Sequence, residues 1–460
     1  NEDLEISLTG GVSSSNRSNR SIFHETNYDD AENGFPATFN YKDSSKIMSS
    51  DFNFGLEYKD LSIRTMVQQY TKESNTANAE KMIMGGIYTG IKYNWSISDK
   101  ITLSPEISWK KEHPWSYKGN VSEDYNNYYV AQSYRTRGNI TGLWMANENL
   151  NITFGVETLY DKAIKPNDAE DFSNGKKSIS YNNQAVYTEA LIKSSFANIT
   201  IGARFDNHSA FGAAFAPRFG ITKAWDKFHI KGLLSRAFKA PVIYNFEADL
   251  DIHAEFTTVA EIETGIILNE NMSVTGNVFY INVKDPIVYV YFPETDTDTY
   301  ENNDHASTVG FEIDSRIKYG WGYVNSSYSY YRNNNSKVEA YEVENDHMLL
   351  RGFPAHKIAM NAGLNIGEKL VLAPTIIFNS KKVGYYYQLP EWDGYDAETF
   401  GNNLTLNLAV NYRPSEKLLL TLGGYDLLNQ NYFAVNAYDA GYKGTPTMGR
   451  EFALKLKFKI

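Results

Sequence analysis

Phe452-Ala453-Leu454-Lys455-Leu456-Lys457-Phe458-Lys459-Ile460 is the stretch whose reading decides the fold. Side chains alternate across a strand, so Phe452, Leu454, Leu456, Phe458 and Ile460 share one face, while Ala453, Lys455, Lys457 and Lys459 share the other. A helix would mix the two sets around its circumference. A strand separates them into one apolar face and one wet, cationic face.

The same alternation recurs along the chain, in about twenty segments of roughly the 9–11 residues that a tilted membrane-spanning strand needs. They run from residues 4–12, 50–58 and 61–70 to 403–413, 417–425 and 449–460. Many neighbouring segments are joined by tight polar turns, among them Tyr58-Lys59-Asp60-Leu61, Ser98-Asp99-Lys100-Ile101, Asn147-Glu148-Asn149-Leu150 and Trp225-Asp226-Lys227-Phe228. Asn269-Glu270-Asn271-Met272, Gly367-Glu368-Lys369-Leu370 and Pro414-Ser415-Glu416-Lys417 continue the series. Asp, Asn and Gly supply the backbone geometry such turns require. The alternate connections are long and polar: 13–47, 112–127, 161–183, 292–306, 333–347 and 381–402. A soluble sandwich has no reason to sort its loop lengths in this way, whereas a membrane barrel has short turns on one side and long loops on the other. The expected fold is therefore all-β: one large antiparallel transmembrane barrel of about 20–22 strands, filling residues 1–460 as a single domain.

Composition narrows the function. The mean hydropathy is −0.46, and no apolar run is long enough for a spanning helix. A barrel tolerates that value because its lumen-facing positions are polar. The 34 Tyr and 25 Phe suit the interfacial belts of a membrane protein. Cysteine is absent, so disulfides hold nothing together. A net charge of −11 argues against nucleic acid as a partner. No nucleophile elbow, zinc-protease helix motif or phosphate-cradling glycine loop is present, so no catalytic residue, resident metal or cofactor is expected and an enzyme is disfavoured.

Several motifs in residues 200–460 occur in a telling order. Gly202-Ala203-Arg204-Phe205-Asp206 precedes Phe215-Ala216-Pro217-Arg218-Phe219-Gly220, and Ser235-Arg236-Ala237-Phe238-Lys239-Ala240-Pro241 follows. Then come Glu261-Ile262-Glu263-Thr264-Gly265, Val278-Phe279-Tyr280 with Asp285-Pro286-Ile287, and Gly310-Phe311-Glu312. Pro354-Ala355-His356-Lys357, Asp426-Leu427-Leu428-Asn429-Gln430-Asn431-Tyr432 and Pro446 with Gly449-Arg450 complete the set. In order and spacing this series resembles the C-terminal part of the TonB-dependent outer-membrane receptor family. Two features depart from it. The stretch that precedes the Glu261 strand in the family is degenerate here, reading His253-Ala254-Glu255-Phe256-Thr257-Thr258. Neither the family's N-terminal plug nor the box that contacts TonB is legible.

The resemblance implies an outer-membrane receptor that takes up a scarce solute of the ferric siderophore, haem or cobalamin class. Its partners would be outer-membrane lipid, a small-molecule ligand at the extracellular loops, a TonB-type energy-coupling protein acting through the plug and box, and a surface lipoprotein. The alternative is a passive large-pore porin or barrel-only translocator. A soluble glycan-binding β-protein is the third reading.

His253 occupies the interval where haem receptors of the family carry an axial-ligand histidine; it also reads as an ordinary loop residue. Tyr385, Tyr386 and Tyr387, with Trp392 and Tyr395, would stack on a planar ligand, or the tyrosines would belong to an interfacial girdle. Asp29, Asp30 and Glu32 lack the spacing of an ordered calcium loop and read as solvated. Arg64, Arg204, Arg218, Lys455 and Lys457 are expected to face the lumen as a charged wall against which a plug would pack.

Overall fold

The structure, a computed structural model, describes residues 3–16, 23–25, 38–40, 46–73, 81–118, 131–167, 169, 171–248, 251–292, 297–344, 346–387, 395–430, 432–435 and 445–459. One antiparallel sheet of 21 strands dominates. Trp95–Ser98 continues Lys81–Tyr93 beyond Asn94 along the same neighbour, so the described residues give the wall twenty spanning strands. They are β1 (Leu4–Asn16), β2 (Lys46–Tyr58), β3 (Leu61–Glu73), β4 (Lys81–Tyr93 with its continuation) and β5 (Ile101–Lys118). Next are β6 (Gln132–Asn147), β7 (Leu150–Ile164), β8 (Ser178–Ile192), β9 (Asn198–His208) and β10 (Gly212–Ala224). β11 (Phe228–Lys239), β12 (Glu255–Asn269), β13 (Met272–Lys284), β14 (His305–Tyr319) and β15 (Gly322–Asn333) follow. The last five are β16 (His356–Ile366), β17 (Leu370–Asn379), β18 (Asn403–Ser415), β19 (Leu418–Tyr425) and β20 (Glu451–Phe458).

Each strand pairs with the next in the chain, from Leu4↔Tyr58 to Leu418↔Phe458. Among the described residues the registers give β1 and β20 one wall partner each. Hydrogen bonds along such a meander are made between strands, which is one of the two ways a chain satisfies its backbone inside hydrocarbon.

Register fixes which side chains share a face. Val156 pairs with Ile140 and Val186, and Val186 with Phe205; Ile262 pairs with Val278, and Val278 with Phe311. These rows are apolar and largely exposed: Val186 is 55%, Ile262 60% and Val278 63% accessible. A protein in water does not leave such a band bare, whereas hydrocarbon covers it. The opposite face carries Arg137, Glu157, Arg204, Asp206 and Glu263 on the intervening positions. Outside is apolar and inside is polar, so the core of this protein is not a packed apolar centre.

The short turns lie on one rim, and side chains close them. Asn147 Oδ1 accepts from the amide of Asn149 at 2.9 Å, and Asn269 Oδ1 from that of Asn271 at 2.9 Å. Aromatic residues cluster beside this rim, with Trp225 and Phe228 5.4 Å apart and Tyr319 stacked on Trp321 at 6.0 Å. A second aromatic band lies near the other rim and includes Tyr134, Phe238, Phe256, Tyr328 and Tyr330. Two aromatic belts flanking an apolar zone mark the two membrane interfaces.

Two features differ from the sequence-based expectation. The connection between β9 and β10, on the long-loop side, is only Ser209-Ala210-Phe211, with Gly212 taking φ +78°, where a glycine is at ease. Several long loops also contain their own hairpins: Ile287–Phe292 with Thr297–Asn302, and Lys382–Tyr387 with Tyr395–Phe400. The first is a continuous apolar run with no period-2 signal, so it reads as loop filler in the sequence.

Candidate functional site

The lumenal wall carries a connected ionic network across β5 to β9. Arg204 and Asp206 are two residues apart on one strand and therefore point the same way. Arg204 grips Asp206 through both Nε and NH2 at 2.8 Å and reaches Glu157 on β7 at 2.6 Å. Arg137 on β6 meets the other oxygen of Glu157 at 2.6 Å and Glu106 on β5 at 3.2 Å. Arg135 holds Asp161 with two bonds of 2.5 and 2.7 Å. Asn183 donates to Asp206 at 2.7 Å, and the Tyr187 ring lies 5.8 Å from the Arg204 guanidinium.

The two carboxylates at the centre are the least accessible. Asp206 is fully buried and the Glu157 side chain is 8% exposed. A buried carboxylate costs several kcal/mol of lost hydration, and planar guanidinium forks are the groups best suited to offset it. The arrangement binds adjacent strands side by side. It holds its charges in fixed positions but presents no nucleophile beside a base, so its chemistry is electrostatic rather than catalytic. Sequence reasoning placed Arg204 on the lumenal face but missed its partners. The signal was present: Arg135 with Arg137 and Arg204 with Asp206 stand two residues apart, and Glu157 with Asp161 four apart, so each set shares one face of its strand.

The other lumenal cations are placed as expected. Arg218 faces inward and reaches Glu189 at 3.5 Å while staying 58% exposed. Arg64 on β3, and Lys455 and Lys457 on β20, occupy the face opposite the apolar rows.

At the long-loop rim, His253 is anchored by its backbone. Its amide donates to Asn302 Oδ1 at 2.9 Å and its carbonyl accepts from Asn302 Nδ2 at 3.1 Å. Asn302 also donates to the Asp285 carbonyl at 2.8 Å, tying the 251–254 segment to the Ile287–Phe292 hairpin. Neighbouring Ile252 and Ala254 are buried, while the His253 imidazole is half exposed with Nε2 3.6 Å from Asp285 Oδ2. Tyr300 packs edge-on against Tyr244 and Tyr289 at 5.6 and 5.5 Å, giving this part of the mouth an aromatic floor.

Tyr385, Tyr386 and Tyr387 form the end of a loop strand whose partners are Ala397, Asp396 and Tyr395. The chain thus brings Tyr387 and Tyr395 opposite each other across one hairpin. Trp392 and the acidic Asp29, Asp30 and Glu32 lie outside the described residues. His253 and the Tyr385 hairpin belong to different loops. Among the described residues no group of three His, Cys, Asp or Glu side chains is arranged to hold a metal. Nor does any helix of the described residues have the length and apolarity to cross a membrane.

Comparison with known proteins agrees with this geometry. The family model for the TonB dependent receptor-like beta-barrel matches residues 4–441. No curated protein sequence matches the chain. Among solved structures, a mutant of the ferric enterobactin receptor PfeA from Pseudomonas aeruginosa superposes with a TM-score of 0.76 at 15% identity, covering 100% of this chain and 76% of that one. The siderophore receptor PirA from Acinetobacter baumannii gives 0.74 at 15% identity, with 100% and 76% covered. The FrpB iron transporter from Neisseria meningitidis gives 0.72 at 12% identity, with 100% and 77% covered. Identities this low speak for the fold, and the family match over nearly the whole length speaks for descent. The chain belongs to the TonB-dependent receptor family, of which it forms the β-barrel.

Proposed function

We propose that this chain is the translocation barrel of an outer-membrane receptor that imports a scarce solute of the ferric siderophore, haem or cobalamin class, driven by TonB-coupled energy. The observation that carries the reading is the match to the receptor-barrel family over residues 4–441, in a wall whose lumenal face carries a paired ionic network across β5 to β9. A plug needs a polar lumenal surface that it can leave and regain. The named neighbours, a ferric enterobactin receptor, a siderophore receptor and an iron transporter, favour iron chelates within the solute class.

In this reading the ligand is met first by the loop hairpins at the mouth. Tyr385, Tyr386, Tyr387 and Trp392 supply aromatic surface, and His253 supplies an imidazole whose swing away from Asp285 would free Nε2 for a metal centre. A plug packed on the lumenal face seals the barrel until the energy-coupling protein pulls it. A surface lipoprotein that hands over or caps the ligand fits the same mouth.

Growth tests the proposal. A strain lacking the gene is expected to fail on one limiting source among ferric siderophore, haem and cobalamin, and to recover with the intact gene. Unimpaired growth on every such source refutes it. If haem is the ligand, His253→Ala is expected to weaken haem binding at least tenfold, and unchanged affinity removes that residue from the site.

A further inference from the structure

The lumenal face is not uniform around the wall. Across β5–β9 its side chains are charged and committed to one another, as in the Arg204–Glu157 and Arg137–Glu106 pairs. Across β15–β19 it is polar but almost without charge. One cross-strand row runs Asn325, Asn361, Thr375 and Asn407. Above it stand Thr405, Asn379 and Asn403, and below it Asn411 and Thr421. Thr421 pairs in turn with Lys455, which fixes the whole set on the lumenal side. Among the described residues, charges of this parity on β15–β19 are confined to the two ends: Lys357 at the long-loop rim and Arg413 at the register shift beside the short turn. Charge resumes on either flank, at Glu312, Asp314 and Arg316 of β14 and at Lys455 and Lys457 of β20.

These neutral side chains bond one another sparingly. Asn325 Nδ2 donates to Asn361 Oδ1 at 3.1 Å, Asn379 Nδ2 to Asn403 Oδ1 at 2.9 Å, and Thr421 Oγ1 to Asn411 Oδ1 at 2.7 Å. An amide side chain has two N–H donors and an oxygen with two lone pairs, so one such bond leaves most of its capacity open. Asn361 is exposed and Asn325, Thr375, Asn407 and Asn411 are half-buried, so that capacity faces the lumen. Beside Asn325 and Asn361 the wall holds a recess of about 240 Å³, lined also by Ser273, Thr275, Asp314 and Arg316. The two sectors therefore offer a passing solute different surfaces. Displacing a member of an ionic pair strands a buried charge. Neutral amides and hydroxyls exchange one hydrogen bond for another at little net cost. The lining of a passage selects by its donors, acceptors and charges. A lane without charge suits a neutral solute rich in oxygen, and it offers no counter-ion to a multiply anionic one.

We propose that the lumenal face of β15–β19 is the solute-contacting lane of this barrel, and that it takes a neutral, oxygen-rich solute. The inference rests on the import of an iron chelate proposed above and divides that class by charge. Three hydroxamate monoanions neutralise a ferric ion, whereas three catecholate dianions leave the chelate triply negative. The lane accordingly takes neutral ferric trihydroxamates and rejects ferric tris-catecholates. Asn361, Thr375 and Asn407 would meet the carbonyl and hydroxamate oxygens at mid-lane, with Asn411 and Thr421 receiving them nearer the short turns.

The test compares the two sectors. A single cysteine carries a bimane fluorophore, placed by Thr375→Cys in the lane or by Ser108→Cys, which faces the lumen among the ionic pairs of β5. The detergent-purified full chain is titrated with ferrichrome, a neutral trihydroxamate whose iron quenches nearby fluorophores, and with ferric enterobactin. Gallium complexes of the same chelators, equal in charge, control for changes that do not need iron. Ferrichrome is expected to quench the Thr375→Cys label saturably, with a Kd at least tenfold below that of ferric enterobactin, and to quench the Ser108→Cys label at least threefold less. Asn361→Leu/Asn407→Leu is expected to raise the ferrichrome Kd in the lane at least tenfold. Asn361→Gln/Asn407→Gln, which keeps the amides, retains binding and serves if the leucine variant fails to fold. Equal quenching at the two positions overturns the lane, as does unchanged binding by the leucine variant. An equal or tighter response to ferric enterobactin overturns the selection by charge. Binding needs no energy source, so its failure leaves the growth test of import standing, and failed growth leaves the quenching intact.

Discussion

Two faces of the same twenty strands solve opposite problems. The outer face meets hydrocarbon and removes charge from mid-height, leaving Ile140, Val156, Val186, Ile262 and Val278 exposed. The inner face gathers charge and neutralises it internally through Arg135, Arg137 and Arg204 against Glu106, Glu157, Asp161 and Asp206. One residue of register separates these solutions at every position, so the wall tolerates no slip. The difference teaches that stability here comes less from a packed core than from keeping the two chemistries on their proper sides.

The largest break in this contrast comes from the buried end of the ionic network. Asp206→Ala leaves the Arg204 fork and Asn183 without their shared acceptor, and removal of one member of a buried pair is expected to cost about 3 kcal/mol. Unfolding of the lipid-reconstituted protein by guanidinium would measure it. Arg204→Met/Asp206→Leu, which removes both partners and leaves Glu157 paired with Arg137, is expected to cost clearly less than Asp206→Ala, because no charge is left wholly unpaired. An equal or greater loss would mean that the network is worth more than the sum of its desolvation penalties.

Next comes the same substitution on the two faces of β12. Ile262→Arg puts a cation at the bilayer midplane and is expected to destabilise by about 2–4 kcal/mol. Glu261→Arg, one residue away and facing the lumen, is expected to cost less than about 1 kcal/mol. Equal effects would dissolve the distinction between the faces.

The period-2 pattern at Phe452–Phe458 and the sorting of loop lengths made the barrel legible in the sequence, because each strand must repeat the inside–outside pattern to cross the membrane. The loop hairpins were not legible. Ile287–Phe292 is apolar on both sides, with Val288 buried, so no alternation survives to be read. The lumenal cations were legible singly, as positions of one parity, but their pairing depends on which strands stand side by side at which height. Arg204 meets Glu157, 47 residues away, because of register across two intervening strand pairings. His253 could be proposed from its place between two motifs, but its tie to Asn302 and Asp285 comes from a loop that folds back 49 residues later.

The smallest predicted effect sharpens the contrast between wall and loops. Lys382 opens the Lys382–Tyr387 hairpin, and burial holds its pKa below the ordinary lysine range. Its charged form is therefore penalised in the folded hairpin. That penalty is fully present below the folded pKa and fades as pH rises towards the ordinary lysine value, so hairpin docking tightens with increasing pH across that window. Lys382→Met is expected to remove this dependence and slow limited proteolysis of the loop at neutral pH, without changing unfolding of the wall. An unchanged pH profile would show that the ammonium already has the solvent or partner it needs.

The absence of cysteine makes the central claim open to a direct measurement. Single cysteines at consecutive positions from Thr258 to Ile266, spin-labelled in reconstituted bilayers, report whether each site meets lipid-soluble oxygen or a water-soluble nickel chelate. The account predicts strict alternation, with Thr258, Ala260, Ile262, Thr264 and Ile266 contacting lipid and Val259, Glu261, Glu263 and Gly265 shielded from it. Uniform accessibility along the strand, or alternation with the opposite phase, would contradict a membrane-spanning barrel with this register.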